Sequence, residues 1–358
     1  MDPSCQCALE KKRDELLVIA FYYLTNIVDP VTEVAQHKAF LKNLDATARI
    51  YISTQGINAQ MSASKEDGQK YMRWLEAREE FRGIEFKIQT HHEHVFPRLQ
   101  IKVKKELVAL GEELSFSERG HYLEPREWAS MLESDDDKVV LDIRNDYEWK
   151  LGHFEGAEPV VCKTFKDFLQ MARNLKERLE NKPTKVMMYC TGGIRCEVFS
   201  ALLKKEGMQN EMYQLHGGVI KYGEEEKSKM WRGKLFVFDD RLGVDLGGQK
   251  AEVIGCCHHC QEANDTYYNC ANMDCNELFL CCPSCLEKFQ GCCQTECQSA
   301  KRVRPFQYAH KPFRRRSQYI PKQPQELVVN VPVPVPEKNQ SFSLNEYIQP
   351  KDLPHASC

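Results

Sequence analysis

Val186-Met-Met-Tyr-Cys190-Thr-Gly-Gly-Ile-Arg-Cys196 is the stretch that decides the fold. A short apolar run suited to a buried strand passes directly into a glycine-containing loop. Val198, Phe199, Leu202 and Leu203 then recur at helical spacing until Gly207. Strand, loop and helix in that order turn several backbone N–H groups toward one point at the positive end of the helix. Cys190 takes the first loop position, at the carboxyl end of the strand, where open α/β sheets place their ligands. Converging N–H groups, the helix terminus and Arg195 all favour a thiolate, so Cys190 is expected to be acidified and nucleophilic at neutral pH. Thr191, Gly192, Gly193, Ile194 and Arg195 complete the loop, and the two glycines let the backbone curl around the sulfur. The plainer reading, a buried cysteine beside an ordinary turn, leaves Gly192-Gly193, Arg195 and the helix as coincidences.

Working outward, residues 139–143 form a mostly apolar strand that carries Asp142 and runs into Arg144. A helix is expected from Asp146 to Gly152, and a longer one over 165–180, where Phe168, Met171 and Leu175 recur. Residues 212–215 lead into His216-Gly217-Gly218. Strands alternating with helices predict a parallel sheet covered on both faces, a rule for α/β domains. Asp142 and Arg144 are expected to shape the sheet-end pocket through hydrogen bonds rather than to act as acid and base. Nearer the N-terminus, strands are expected at 16–25, 49–53, 57–62, 84–89 and within 99–110. Helices are expected at 30–44 and after Ser64, a plausible N-cap for Tyr71, Met72, Trp74 and Leu75. The order β-α-β-β-α-β, with the fifth run as an extra strand, is that of a ferredoxin-like α+β sandwich. The expected division is an extension (1–14), the sandwich (15–110), the α/β domain (120–235), a cysteine-rich region (236–300) and a tail (301–358).

The chain has 17 cysteines, and 11 of them fall between Cys256 and Cys297, which argues for metal rather than packing. Cys257 and Cys260, Cys270 and Cys275, Cys281 and Cys285, and Cys293 and Cys297 give four pairs, enough for two tetrahedral zinc sites. Cys256, Cys282 and Cys292 adjoin chosen ligands, so the assignment can slip by one. His258 and His259 are substitutes, and an iron–sulfur cluster is the competing metal centre. His91, His92 and His94 read as an exposed strand end.

At 358 residues the chain exceeds one ordinary core, and its net charge of −3 excludes a uniformly basic nucleic-acid coat. A local patch remains. Residues 301–322 hold no acidic residue and interleave Lys and Arg with Phe306, Tyr308, Phe313 and Tyr319, suiting a phosphate backbone and unpaired bases or, equally, a solvated tail. The proline-rich segment beyond reads as extended. The apolar run 16–24 is about half a membrane span and follows Lys11, Lys12, Arg13, Asp14 and Glu15. It argues against a signal peptide and a membrane helix. Clustered thiols without a secretion signal fit the reducing cytoplasm.

Asp142-Ile-Arg-Asn-Asp-Tyr-Glu148 with Gly152-His-Phe-Glu-Gly-Ala157, the loop Cys190–Arg195, and Leu215-His-Gly-Gly218 together resemble the signatures of rhodanese domains. Four residues separate Cys190 from Arg195, similar to sulfur-handling rhodaneses. Related phosphatases use a loop one residue longer, so phosphomonoester hydrolysis is set aside. Tyr51-Ile-Ser-Thr-Gln-Gly-Ile-Asn58, Phe96-Pro-Arg-Leu-Gln-Ile-Lys-Val-Lys-Lys-Glu-Leu-Val108 and Cys257-His-His-Cys260 extend the likeness over roughly residues 15–300. In that order they are similar to the rhodanese-domain tRNA uridine(34) hydroxylases.

That resemblance implies an acylphosphatase-like domain, a rhodanese domain and a cysteine-rich region, with Cys190 as the reactive residue. It implies oxygen-dependent conversion of the wobble uridine in the tRNA anticodon loop to 5-hydroxyuridine, and a persulfide as the usual rhodanese state of Cys190. Molecular oxygen is then a co-substrate. No residue pattern names the electron donor or the oligomeric state, and there is no dinucleotide fingerprint or two-histidine, one-carboxylate iron site. A thiolate adding to C6 of the uracil would make C5 electron-rich, and this competes with the persulfide. Cys196 either resolves a species formed on Cys190 or packs as a small buried residue. The rival functions are a sulfurtransferase carrying a persulfide on Cys190 and a non-catalytic zinc scaffold.

Overall fold

A computed structural model describes residues 15–108, 119–160 and 165–306, with only the backbone at 165 and 166. The expected extension at 1–14, the proline-rich segment and the basic-aromatic run beyond Phe306 lie outside these residues.

β1 (Leu16–Leu24), α1 (Pro30–Leu41), β2 (Ala46–Ser53), β3 (Gly56–Ser64), α2 (Lys65–Glu76), β4 (Lys87–His91) and β5 (Leu99–Val103) make the first domain. Asp29 starts α1 by accepting from the N–H groups of Val31 and Thr32, and Ser64 starts α2 by accepting from Asp67 N. The sheet order is β4-β1-β3-β2-β5, antiparallel except where β5 lies parallel to β2. Strand alternation gives this sheet two unlike faces. Ile19, Phe21, Ile50, Ile52, Ile57 and Met61 point toward the helices and form one core with Leu41, Tyr71 and Leu75. Tyr22, Arg49, Tyr51, Asn58, Gln60 and Lys87 alternate with them. The fourth strand starts three residues later than the alternation predicts, because Phe81 and Ile84 are buried in that core before the chain joins the sheet.

The second domain holds β6 (His121–Leu123), α3 (Pro125–Glu133), β7 (Lys138–Asp142), α4 (Asp146–Leu151), β8 (Gly152–Phe154), β9 (Glu158–Pro159), α5 (Phe165–Leu179), β10 (Lys185–Tyr189), α6 (Ile194–Lys205), β11 (Met212–Leu215) and α7 (Gly218–Glu225). Its sheet, β6-β11-β10-β7-β9, is parallel throughout. Met187 and Tyr189 of β10 belong to the apolar cluster on one face, Val186 and Met188 to that on the other. Burial on both faces explains why this strand reads as an uninterrupted apolar run.

β12 (Trp231–Gly233) pairs with β8, and β13 (Leu235–Phe236) with β14 (Gly243–Val244). β15 (Tyr267–Asn269), β16 (Leu278–Leu280), α8 (Pro283–Lys288) and α9 (Thr295–Gln298) carry the cysteine block. A Tyr267 Oη hydrogen bond to Tyr147 O (2.9 Å) and the Lys234–Asp265 ion pair (2.7 Å) tie it to the α/β domain. Among the described residues no helix is long and apolar enough to cross a membrane.

Candidate active site

Cys190 follows β10 directly, and its side chain is enclosed by its own loop. Gly193 N donates to Cys190 Sγ at 3.1 Å. Burial opposes ionisation, but the Cys196 thiol, the Arg195 guanidinium and the N–H groups of Cys196 and Gly193 outweigh it and bring the Cys190 thiol down to about 5. Cys196 is 1% exposed, and burial together with its hydrogen bond to Cys190 pushes its own thiol up. Of the pair, Cys190 is therefore the thiolate and Cys196 the donor. Gly193 has φ of +109°, and a Cβ there would lie 2.8 Å from Tyr22 Oη. Both the backbone sign and the close approach require glycine.

Arg195 does not reach out of the loop. Its guanidinium is forked by Glu148 at 2.6 and 3.0 Å, and Thr191 Oγ1 donates to the same carboxylate at 2.8 Å. Glu148 is fully buried. Burial works against its charge, yet Arg195 and Arg144 hold its carboxyl below the usual carboxylate range. Asn145, the N-cap of α4, closes the set, its Nδ2 donating to Glu148 Oε2 at 2.9 Å. Asp142 and Arg144 lie deeper, at 0 and 2% exposure. Arg144 Nε donates to Asp142 at 2.8 Å and its Nη2 to Gly152 O at 2.6 Å, while Tyr189 Oη donates to Asp142 at 2.7 Å. They brace the sheet end and do not line the cavity.

That cavity has a volume of about 320 Å³ and is shared by two domains. Cys190, Thr191, Gly192, Ile194 and Arg195 form its floor; the polar face of the N-terminal sheet forms its wall, through Tyr22, Arg49, Tyr51, Asn58, Gln60 and Lys87. Lys87 Nζ donates to Gly192 O at 2.9 Å, and Tyr22 Oη donates to Glu197 at 3.0 Å across the domain boundary. Glu197 also takes hydrogen bonds from Arg119 (3.0 Å) and Tyr122. Sequence reasoning missed this wall and Glu148's grip on Arg195. Polar residues at alternate strand positions read as a solvent face, and nothing local says that a second domain covers them. For Glu148 the only local signal is its place three residues after Asn145, which marks a capping box and not the Arg195 pair.

In the cysteine block two groups of four sulfurs each gather within 4.8 Å: Cys257, Cys260, Cys282 and Cys285, and Cys270, Cys275, Cys293 and Cys297. The first pair along the chain joins the third, and the second joins the fourth. Cys282 stands where the spacing argument placed Cys281. The chain leaves β16 extended, so adjacent side chains face opposite ways. Cys282 caps α8 and shares its first turn with Cys285, whereas Cys281 turns into the block's core at 1% exposure. Sulfur separations of 3.7 Å (Cys260–Cys282) and 3.6 Å (Cys275–Cys293) match the edge of a tetrahedron with metal–sulfur bonds of about 2.3 Å. Burial opposes the Cys257 thiolate, but N–H groups of Cys260, Cys282 and His259 bring it down to about 6. His259 is instead stacked on Phe289 at 3.8 Å and bonded to Cys292 O, so it does not act as a substitute ligand here. Purified protein is expected to hold two metal ions per chain. Cys282→Ser should lose one and Cys281→Ser neither, as read by elemental analysis; loss on Cys281→Ser alone would restore the spacing-based assignment.

The parallel sheet, the four-residue loop and the acidified thiol define a protein of the rhodanese class. Family models agree along the chain: UPF0176 acylphosphatase like domain at residues 16–107, Rhodanese-like domain at 124–225 and Rhodanase C-terminal at 232–298. Curated relatives named tRNA uridine(34) hydroxylase include that of Protochlamydia amoebophila, 54% identical over 85% of this chain and 95% of its own length. Those of Chlamydia abortus (49% identical, 83% of this chain, 92% of its own) and Chlamydia pneumoniae (47%, 86% and 94%) carry the same name. The chain belongs to the tRNA uridine(34) hydroxylase family.

Proposed function

We propose that this chain is an enzyme that hydroxylates the wobble uridine of tRNA at C5, giving 5-hydroxyuridine. The observation in the chain that supports this reading is the composite cavity: an acidified thiolate at the floor, facing a polar wall from a separate domain. A cavity of about 320 Å³ lies at the small end of ligand pockets, roughly 300–1,000 Å³, and suits a single base. The wobble base in an anticodon loop is single-stranded, so turning it out of its stack costs little. Cys190 is the reactive group. Its thiolate adds to C6 of the uracil, and the resulting electron-rich C5 takes one atom of molecular oxygen. The other oxygen atom leaves as water, with two electrons from a separate donor and two protons, which makes the enzyme a monooxygenase. Loss of the C5 proton then re-forms the C5=C6 bond, breaks the S–C6 bond and returns the Cys190 thiolate. Thr191, Gly192, Gly193, Ile194 and Arg195 hold the cradle, Asp142 and Arg144 brace it, and Cys196 keeps the thiolate hydrogen-bonded. Zinc is the ion that the two cysteine sets would hold, because four thiolates in a closed tetrahedral set are its structural form. It would fix the C-terminal block against the α/β domain. The site of action is the cytoplasm, where thiols stay reduced.

The second reading, a sulfurtransferase with a persulfide on Cys190, draws on the same buried and acidified sulfur. Complementation separates the two. In a deletion strain lacking 5-hydroxyuridine, expression of this chain should restore that nucleoside, as measured by mass spectrometry of digested tRNA. Unchanged nucleosides together with thiosulfate:cyanide transfer by the purified protein would overturn the hydroxylase reading in favour of sulfur transfer.

A further inference from the structure

Among the described residues that line the Cys190 cavity Lys87 is the one lysine, and it comes from β4 of the N-terminal sheet. Its Nζ is 2.9 Å from Gly192 O and lies 5.1 Å from the Tyr22 ring centroid. No carboxylate stands within ion-pair distance of it among the described residues. This amine is set against the active loop, hydrogen-bonded to Gly192 O, with a proton to give and no ion-pair partner among the described residues.

The neighbouring cations are committed elsewhere. Arg195 is forked by Glu148, Arg144 is locked to Asp142 beneath the cavity, and Arg49 donates to Phe238 O at 3.1 Å. A guanidinium also keeps its proton at any ordinary pH, whereas a lysine in a covered site can release one. Burial draws the Lys87 ammonium down to about 8, against the pull of Cys190, Glu85 and Glu224. The Asn58 and Gln60 carboxamides stand on the same wall.

We propose that Lys87 is a further catalytic residue, whose ammonium donates to the C4 carbonyl oxygen of the target pyrimidine as Cys190 adds to C6. The inference rests on the hydroxylase reading and on its thiolate-addition step. The thiolate lone pair forms the S–C6 bond, the C5=C6 π pair shifts toward C4, and the C4 carbonyl π pair moves onto O4. The proton passes from Lys87 Nζ to O4, leaving a neutral enol and a neutral amine, with no net oxidation. A preorganised donor at a developing oxyanion is where an enzyme gains most from one group. A donor-only group at that position also favours uracil over cytosine, which presents an amino group there.

The test uses the full chain and 5-fluorouridine-substituted tRNA, following the covalent adduct by intact mass and, in parallel, hydroxylation of ordinary tRNA. Lys87→Met should slow adduct formation by about 10²-fold or more, the effect of removing one oxyanion donor. Its tRNA affinity and the iodoacetamide alkylation rate of Cys190 should stay within about threefold of wild type, as expected for an interaction made in the transition state. Lys87→Arg keeps the charge and the reach to Gly192 O and should remain slow, because it does not surrender a proton. Added methylamine should partly rescue Lys87→Ala, a gain that a folding defect would not show. Adduct formation by Lys87→Met within about threefold of wild type, or alkylation falling in step with it, overturns the proposal. A fully active Lys87→Arg overturns the proton transfer. Wild-type protein that hydroxylates tRNA without forming an adduct removes the thiolate-addition step and Lys87's role with it, and leaves the hydroxylase reading standing. Expression of wild-type protein that restores no 5-hydroxyuridine in the deletion strain removes the hydroxylase reading itself.

Discussion

Cys190→Ser is expected to abolish 5-hydroxyuridine formation, with a loss of about 10³-fold or more, because removal of an activated nucleophile has effects of that order. The serine hydroxyl would fit the same cradle, but N–H groups and Arg195 that suffice to ionise a thiol do not ionise an alcohol near neutral pH. The fold should survive, since the substitution is nearly isosteric. The companion observation is the pH dependence of wild-type Cys190 alkylation. The folded thiol lies near 5, below its ordinary value, so the thiolate dominates above that point and reactivity falls as pH drops through about 5. A midpoint near 8 or 9, the ordinary thiol range, would mean that the cradle does not act on the sulfur. Retained hydroxylation by Cys190→Ser would remove covalent chemistry at this residue.

Glu148→Gln is expected to have the largest effect on stability. Glu148 is fully buried and accepts from Arg195, Thr191 and Asn145. The glutamine keeps the volume but leaves the Arg195 guanidinium without the carboxylate that forks it, and breaking a buried pair from one side costs about 3–5 kcal/mol. Urea denaturation at neutral pH measures this; a loss below about 1 kcal/mol, the scale of an exposed pair, would mean that solvent compensates Arg195. The carboxyl's folded value is lowered, so its stabilisation is present above the ordinary carboxylate range. It is lost as pH falls through the lower, folded value. Wild type and Glu148→Gln should thus converge in acid and diverge toward neutrality.

How much of this was legible in the sequence depends on how local each feature is. β10, its loop and α6 were readable because the strand is buried on both faces, the glycines mark a turn, and the helix has its own periodicity. The chemistry of Cys190 follows from those neighbours alone. The ferredoxin-like order was likewise readable, apart from β4, where Ile84 belongs to the core yet precedes the strand. What the sequence did not give away is long-range. Lys87 and Tyr22 reach the cavity only because one face of the N-terminal sheet meets the active loop, and a polar strand face looks the same whether water or another domain covers it. The choice of Cys282 over Cys281 turns on which way a side chain faces at the end of β16, and adjacent cysteines satisfy a spacing rule equally well. The sulfur groups needed three dimensions for a further reason: their pairs alternate along the chain.

That alternation has a consequence for how the protein is made. Neither sulfur set is drawn from one continuous segment, and the strand of chain closing the first also lies between the halves of the second. As the polypeptide emerges from the ribosome, the earlier thiols must wait, exposed and reduced, until later ones appear. With ions held by both sets, the C-terminal block would reach its final form only once Cys297 has emerged. Without ions for the two sets, a finished chain would have its α/β domain shaped and its C-terminal block unclosed.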